Sequence, residues 1–150
     1  MVIVVSLMLV LPCVSVLWEA LATRTGLPLT SIAGKWFLFW GVGMRLFTAG
    51  IKQAINPAFT ARSIFKLSDK DSFVIVKELG FANICMGSVA LISLFMPGWR
   101  AAIAFTGGLY MSIAGINHII KKPAGANEWV ALVSDVFIGV VMGLYVASVW

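Results

Sequence analysis

Seven polar side chains interrupt otherwise apolar runs of this sequence: Arg45, Lys52, Glu78, Asn83, Asn117, His118 and Asp135. Burying an ionisable group among apolar atoms is costly, so such a group turns inward and finds a partner. Two cations and two carboxylates can form an ion-pair network that fixes how helices register. The same groups, with an imidazole able to exchange a proton near neutral pH, also suit a small site for a polar headgroup, a quinone ring or a proton. A metal would need His118 with both Glu78 and Asp135, and one imidazole with two carboxylates is a thin donor set. Neither a metal site nor a catalytic residue is therefore assigned. Cys13 and Cys85 stand far apart with no CxxC pair, so thiol redox chemistry is disfavoured and both read as small apolar fillers. The chain has no phosphate-binding glycine loop, nucleophile elbow or zinc-protease motif; Gly41-Val42-Gly43 falls inside an apolar run and reads as packing.

The elements that must position these groups follow from composition. Of 150 residues, 61% are hydrophobic and 11% charged, with a mean hydropathy of +1.00. So few charges cannot cover the surface of a soluble domain of this length, and disordered chains lack large apolar side chains. A polytopic membrane protein remains. The net charge of +5 comes from 11 Lys and Arg against 6 Asp and Glu. The cations sit mostly between apolar runs, where they serve as topology signals and headgroup contacts, so nucleic acid is not an expected partner.

A span needs about 20 apolar residues. The runs predict an all-α bundle of five transmembrane helices forming one domain over residues 1–150, at about 2–20, 35–55, 72–97, 100–120 and 129–149. The runs are continuous rather than alternating, which excludes a barrel. Ala20-Leu21-Ala22 resembles a signal-peptide cleavage site, but no Lys or Arg precedes the first apolar run, so that run is expected to be a retained helix. Asn56-Pro57 predicts a helix start, opening a short interfacial helix over residues 57–67 with Arg62 and Lys66 on its wet face. Ser68 and Asp71 form a weak cap for the third span, and Pro97-Gly98 turns the chain between the third and fourth. Tryptophans 18, 36, 40, 99, 129 and 150 lie near predicted helix ends, where indoles anchor at the interface.

The loops set the orientation. Lys52, Arg62, Lys66 and Lys70 flank or fill one connection, and Lys121 and Lys122 another, on the side of the N-terminus; Arg24, Lys35 and Arg100 lie opposite. The positive-inside rule then predicts a multi-pass cell-membrane protein with the N-terminus cytoplasmic and the C-terminus outside. With that topology Arg45, Lys52, Glu78, Asn83, Asn117, His118 and Asp135 all fall in the inner half of the bilayer as one polar cluster. Lys77 is expected to snorkel to the interface. Small residues mark helix contacts in lipid, and the packing positions are Gly41, Gly80, Gly87, Gly107, Gly115, Gly139 and Gly143, the last two a GxxxG pair. They fall on the stripes that carry the polar residues: Gly41-Arg45-Thr48-Lys52, Gly80-Asn83-Gly87-Ala90, Gly107-Met111-Ala114-His118 and Ala131-Asp135-Gly139-Met142.

Several short motifs occur in order: Lys77-Glu78-Leu79-Gly80-Phe81-Ala82-Asn83, Gly115-Ile116-Asn117-His118, Ala124-Gly125-Ala126-Asn127-Glu128 and Asp135. Over about residues 35–145 the chain resembles a family of small bacterial and archaeal membrane proteins carrying a domain of unknown function. More loosely, four of the helices with an inward arginine are similar to DoxX-like proteins, whose members are linked to quinone-dependent oxidation complexes. The extra N-terminal helix departs from that pattern. The expected role is a non-enzymatic membrane accessory protein or subunit within a larger complex. Its expected partners are lipids and other integral membrane subunits or a second copy of itself. The alternative is a redox accessory that binds quinone or lipid through the polar cluster, and beyond quinone or bound lipid no cofactor is implied.

Overall fold

A computed structural model describes residues 2–23 and 26–150. Met1, the start of the first apolar run, and Arg24, counted with the outer-side cations, lie outside the described residues, as does the Asn127 side chain. Every regular element described is helical: α1 (Val2–Thr23), α2 (residues 29–55), a short α3 (residues 57–65), α4 (Asp71–Ile92), α5 (Arg100–Lys121) and α6 (Ala126–Val149).

Four of these, α1, α4, α5 with its leading turn, and α6, are long and apolar enough to cross a membrane. The expectation of five spans is met by that criterion only in part. At 27 residues α2 is long enough, but Lys35, Arg45 and Lys52 and a run of glycines lower its hydropathy. Its position explains the composition: α2 touches all four of the other long helices. A central helix presents little surface to lipid, so it can carry cations and glycines that an outer helix cannot. Ile32, Phe37, Leu38, Val42 and Leu46 of α2 are all buried, and the last four share one core with Met8, Met111, Ile138 and Met142 from its neighbours.

The long helices alternate in direction. Glu19 and Ser15 of α1 meet Lys35 and Trp40 of α2. Gly50 of α2 lies against Gly80 of α4, and Gly43 against Leu91. Gly108 of α5 faces Met142 of α6, and Gly115 faces Val136. Glycine sets these crossings. A Cβ on Gly80 would stand 2.9 Å from the Gly50 carbonyl oxygen and the Ala54 nitrogen, and one on Gly87 would meet the Phe47 nitrogen at 2.5 Å. Backbone cannot yield as a side chain can. Gly41, Gly107, Gly115 and Gly139 likewise face side chains of neighbouring helices. Gly143 differs from its predicted role: it is exposed with nothing within 4 Å.

Local chemistry marks the ends. The Asn56 side chain accepts a hydrogen bond from Phe59 N at 3.2 Å, capping α3, which ends at Lys66 in a left-handed conformation, φ 59°. Asp69, not Ser68, caps α4: its Oδ1 accepts from Ser72 N at 2.7 Å. Arg100 closes the α4–α5 turn by donating to the carbonyls of Ser93 and Leu94, at 3.0 and 2.9 Å. Those carbonyls would otherwise end a helix without partners. Glu128 reaches back to accept from Ala124 N at 2.8 Å at the start of α6.

The glycine contacts predict a contrast. Gly80→Ala should destabilise the bundle by about 1–3 kcal/mol, because the new methyl overpacks two backbones. Gly143→Ala should stay within about 0.5 kcal/mol of the parent, because the methyl meets open space. Unfolding by SDS titration in mixed micelles measures both, and equal losses would contradict the assignment.

Candidate functional site

α2, α5 and α6 converge on one ionic group. Arg45 opens the regular stretch of α2 that follows a wide π-type segment at Leu38–Met44. Such segments reaim the side chains that follow them. The Arg45 Nη1 lies 2.5 Å from Asp135 Oδ1, and the Asp135 side chain is only 4% exposed. That carboxylate oxygen has no aligned hydrogen bond, so charge rather than direction holds the contact. Nη1 also reaches the Met111 sulfur of α5 at 3.5 Å. Two turns further along α5, His118 brings Nε2 to 3.7 Å from Asp135 Oδ2. That is too long for a hydrogen bond, but it brings the imidazole to the edge of the same ionic group. Tyr110 lies within interaction range of Arg45, Asp135 and Asn83.

By helix rise, Arg45 stands about 15 Å from the end of α2 at Ile55, and Asp135 about 14 Å from the start of α6. The pair therefore lies well inside both helices, away from their ends.

The seven predicted polar residues therefore do not form one cluster. Arg45, Asp135 and His118 come together. Asn83 is buried, but its Nδ2 donates to Gln53 Oε1 at 2.8 Å, and its own Oδ1 has no partner among the described residues. Lys52, Glu78 and Asn117 are exposed and stand apart. On α2 the buried face beyond the wide segment centres on Leu46 and Gly50, which pack toward α4, so Thr48 and Lys52 roll outward. The Lys52 Nζ lies 3.8 Å from the Phe59 ring centroid. On α4 the buried stripe is Ser72, Val76, Gly80, Asn83, Gly87 and Ala90, and Glu78 falls on the opposite side. Glu78 makes no ion pair among the described residues. Cys85 shares that outer side and is exposed, so it is not a core filler. Asn117 is turned about 100° from its neighbour His118 by the helix, which takes it off the inner face.

A second ion pair was hidden in the sequence. Glu19, 7% exposed near the C-terminal end of α1, receives Lys35 Nζ at 2.5 Å and Trp36 Nε1 at 2.6 Å. One carboxylate thus binds two donors from adjacent residues of α2 and pins α1 to the bundle. The signal available was a lone carboxylate at the end of an apolar run, sixteen residues before Lys35. The indole of Trp36, read as an interface anchor, is in part a donor to that carboxylate.

A groove of about 380 Å³ opens between α5 and α6, away from the ion pair. Ala104, Gly108 and Ser112 form one wall at four-residue spacing, and Gly139, Gly143 and Ala147 form the other. The stacked rings of Phe105 and Trp150, 6.2 Å apart, stand at one end of it. No ionisable side chain lines it.

Removing one partner of the buried pair leaves an uncompensated charge, at a cost of about 3–5 kcal/mol. Arg45→Leu and Asp135→Leu should each lose about that much in SDS unfolding. The double variant should be more stable than either single, because no orphaned charge remains. Strictly additive losses would show that the two groups do not depend on each other.

No curated protein and no solved structure matches this chain. A family model does match, over residues 1–149. The chain therefore belongs to the family of unknown function DUF6790.

Proposed function

We propose that this protein is a five-span integral membrane accessory protein or subunit that packs within a larger membrane assembly and has no catalytic activity of its own. α2 is the fifth span, enclosed by the other four. The N-terminus is cytoplasmic and the C-terminus outside in the cell membrane, because Arg62, Lys66, Lys70, Lys121 and Lys122 share two connections on one side.

The observation that carries this reading is the separation of charge from space. Arg45 and Asp135 satisfy each other at the crossing of α2 and α6, which suits a structural lock. The groove between α5 and α6 is apolar and walled by two rows of small residues, which suits close approach of a partner's transmembrane helix. Reaction chemistry would need the space and the polar groups together.

A second reading, a lipid- or quinone-binding redox accessory, is favoured by His118. Its side chain is 34% exposed beside the Asp135 carboxylate, so it offers a donor at the edge of the bundle. The likeness to DoxX-like proteins belongs with this reading.

Native mass spectrometry of the tagged chain, extracted from its own membranes in mild detergent, tests the first reading. An integral membrane partner should co-purify at fixed stoichiometry. Gly143→Ile, which fills the groove where nothing stands within 4 Å, should lower its recovery at least tenfold while leaving SDS unfolding unchanged. A chain that elutes with lipid alone, or a partner retained by the variant, overturns the reading. A quinone bound at fixed stoichiometry and lost in His118→Ala would establish the second reading in its place.

A further inference from the structure

The face of α4 turned away from the bundle carries a charge pattern that only a partner can complete. Its exposed residues are Asp71, Val74, Glu78, Phe81, Cys85 and Ile92, with Lys77, Ile75 and Ala82 at the flanks. Residues 71, 74, 78, 81, 85, 88 and 92 repeat at alternating intervals of three and four, the spacing of a coiled-coil seam. Glu78 sits about 10 Å along α4 from Asp71, inside the apolar stretch, where a solitary carboxylate against lipid is costly. Lys77 follows the backbone at the same depth, its Nζ 5.8 Å from the Phe81 ring centroid. The two cannot satisfy each other within one helix, because adjacent residues point about 100° apart.

We infer that α4 packs against α4 of a second copy of this chain, with Glu78 of each copy paired to Lys77 of the other. Charge complementarity selects this occupant. On a parallel seam with Glu78 at the knob position, the facing hole is formed by the partner's copies of residues 74, 77, 78 and 81. Each carboxylate therefore lands beside the other copy's ammonium. A two-fold axis makes the contact reciprocal, since what residue 77 does to 78 in one direction it does in the other. The ring of two Lys77 and two Glu78 is neutral, so both carboxylates leave the lipid without burying net charge. The α5–α6 groove has no comparable pairing and stays free for a different subunit. The inference rests on the reading of α4 as a membrane span, but not on the heteromeric partner.

Cys85 lies on the same seam, two turns beyond Glu78, and reports the contact without an engineered probe. The full chain is reconstituted in phosphatidylcholine vesicles at high lipid dilution and oxidised with copper phenanthroline in air. This reagent converts two facing thiols to one disulfide. A dimer should appear on non-reducing gels. Cys85→Ser should abolish it and Cys13→Ser should leave it. Lys77→Glu and Glu78→Lys alone place four like charges on the seam, and each should lower the cross-linked fraction at least fivefold. The double reversal should restore it to within twofold of the parent. Elution in detergent checks that each variant remains a bundle. Monomer alone, a dimer linked through Cys13, or a Cys85 dimer indifferent to the single reversals overturns the inference. A Cys85 dimer with no heteromeric partner in native mass spectrometry would sustain the inference while the assembly role fell.

Discussion

An arginine and an aspartate brought together near the middle of an apolar bundle cannot be separated cheaply. Packed side chains enclose Asp135 almost entirely and Arg45 for the most part, so their attraction holds α2 and α6 where they cross. The pair decides register more than it adds stability. A shift of one residue along either helix would leave two charges unpaired. His118 and Met111 then bring α5 to the same level, and the central helix is held against two neighbours at once.

Glycine does the complementary work. Since apolar side chains gain little by leaving lipid for one another, helices hold together by close approach and by polar contacts. Gly50 against Gly80, and Gly87 against Phe47, let α2 and α4 come near enough for backbones to touch. At the C-terminal end of α1 the Glu19 carboxylate, bound by Lys35 and Trp36, ties that helix to α2. α2 is thus anchored by charge at two levels and by glycine along its length. This explains why the central helix is the least hydrophobic of the five long helices.

The functional reading follows from what this arrangement leaves over. The interior charges are matched, but two features at the surface are not: a groove walled by small residues between α5 and α6, and a carboxylate with an adjacent lysine on the outer side of α4. Both lie where lipid would otherwise be, and both suit contact with other helices. The proposed accessory role within an assembly would account for both.

Composition and apolar run length alone determined the class of this protein, because the need to satisfy every backbone hydrogen bond in lipid leaves only helices for such runs. Helix ends were legible where a local side chain fixes them, as with Asn56, though not where Asp69 rather than Ser68 supplied the cap. The glycine stripes were legible at Gly41, Gly80, Gly87, Gly107, Gly115 and Gly139 from spacing, while Gly143 was not: a GxxxG pair states that a helix can be approached closely, not from which side. Spacing placed Arg45, Glu78, His118 and Asp135 at similar depth, but depth is only one coordinate. Rotation about each helix axis separated Glu78 from the others, and that rotation is set by which glycines meet which backbones. Contacts between Glu19 and Lys35, or between Asn83 and Gln53, join residues far apart in the chain. They exist only once packing has chosen the faces, since no local rule carries that information along the sequence.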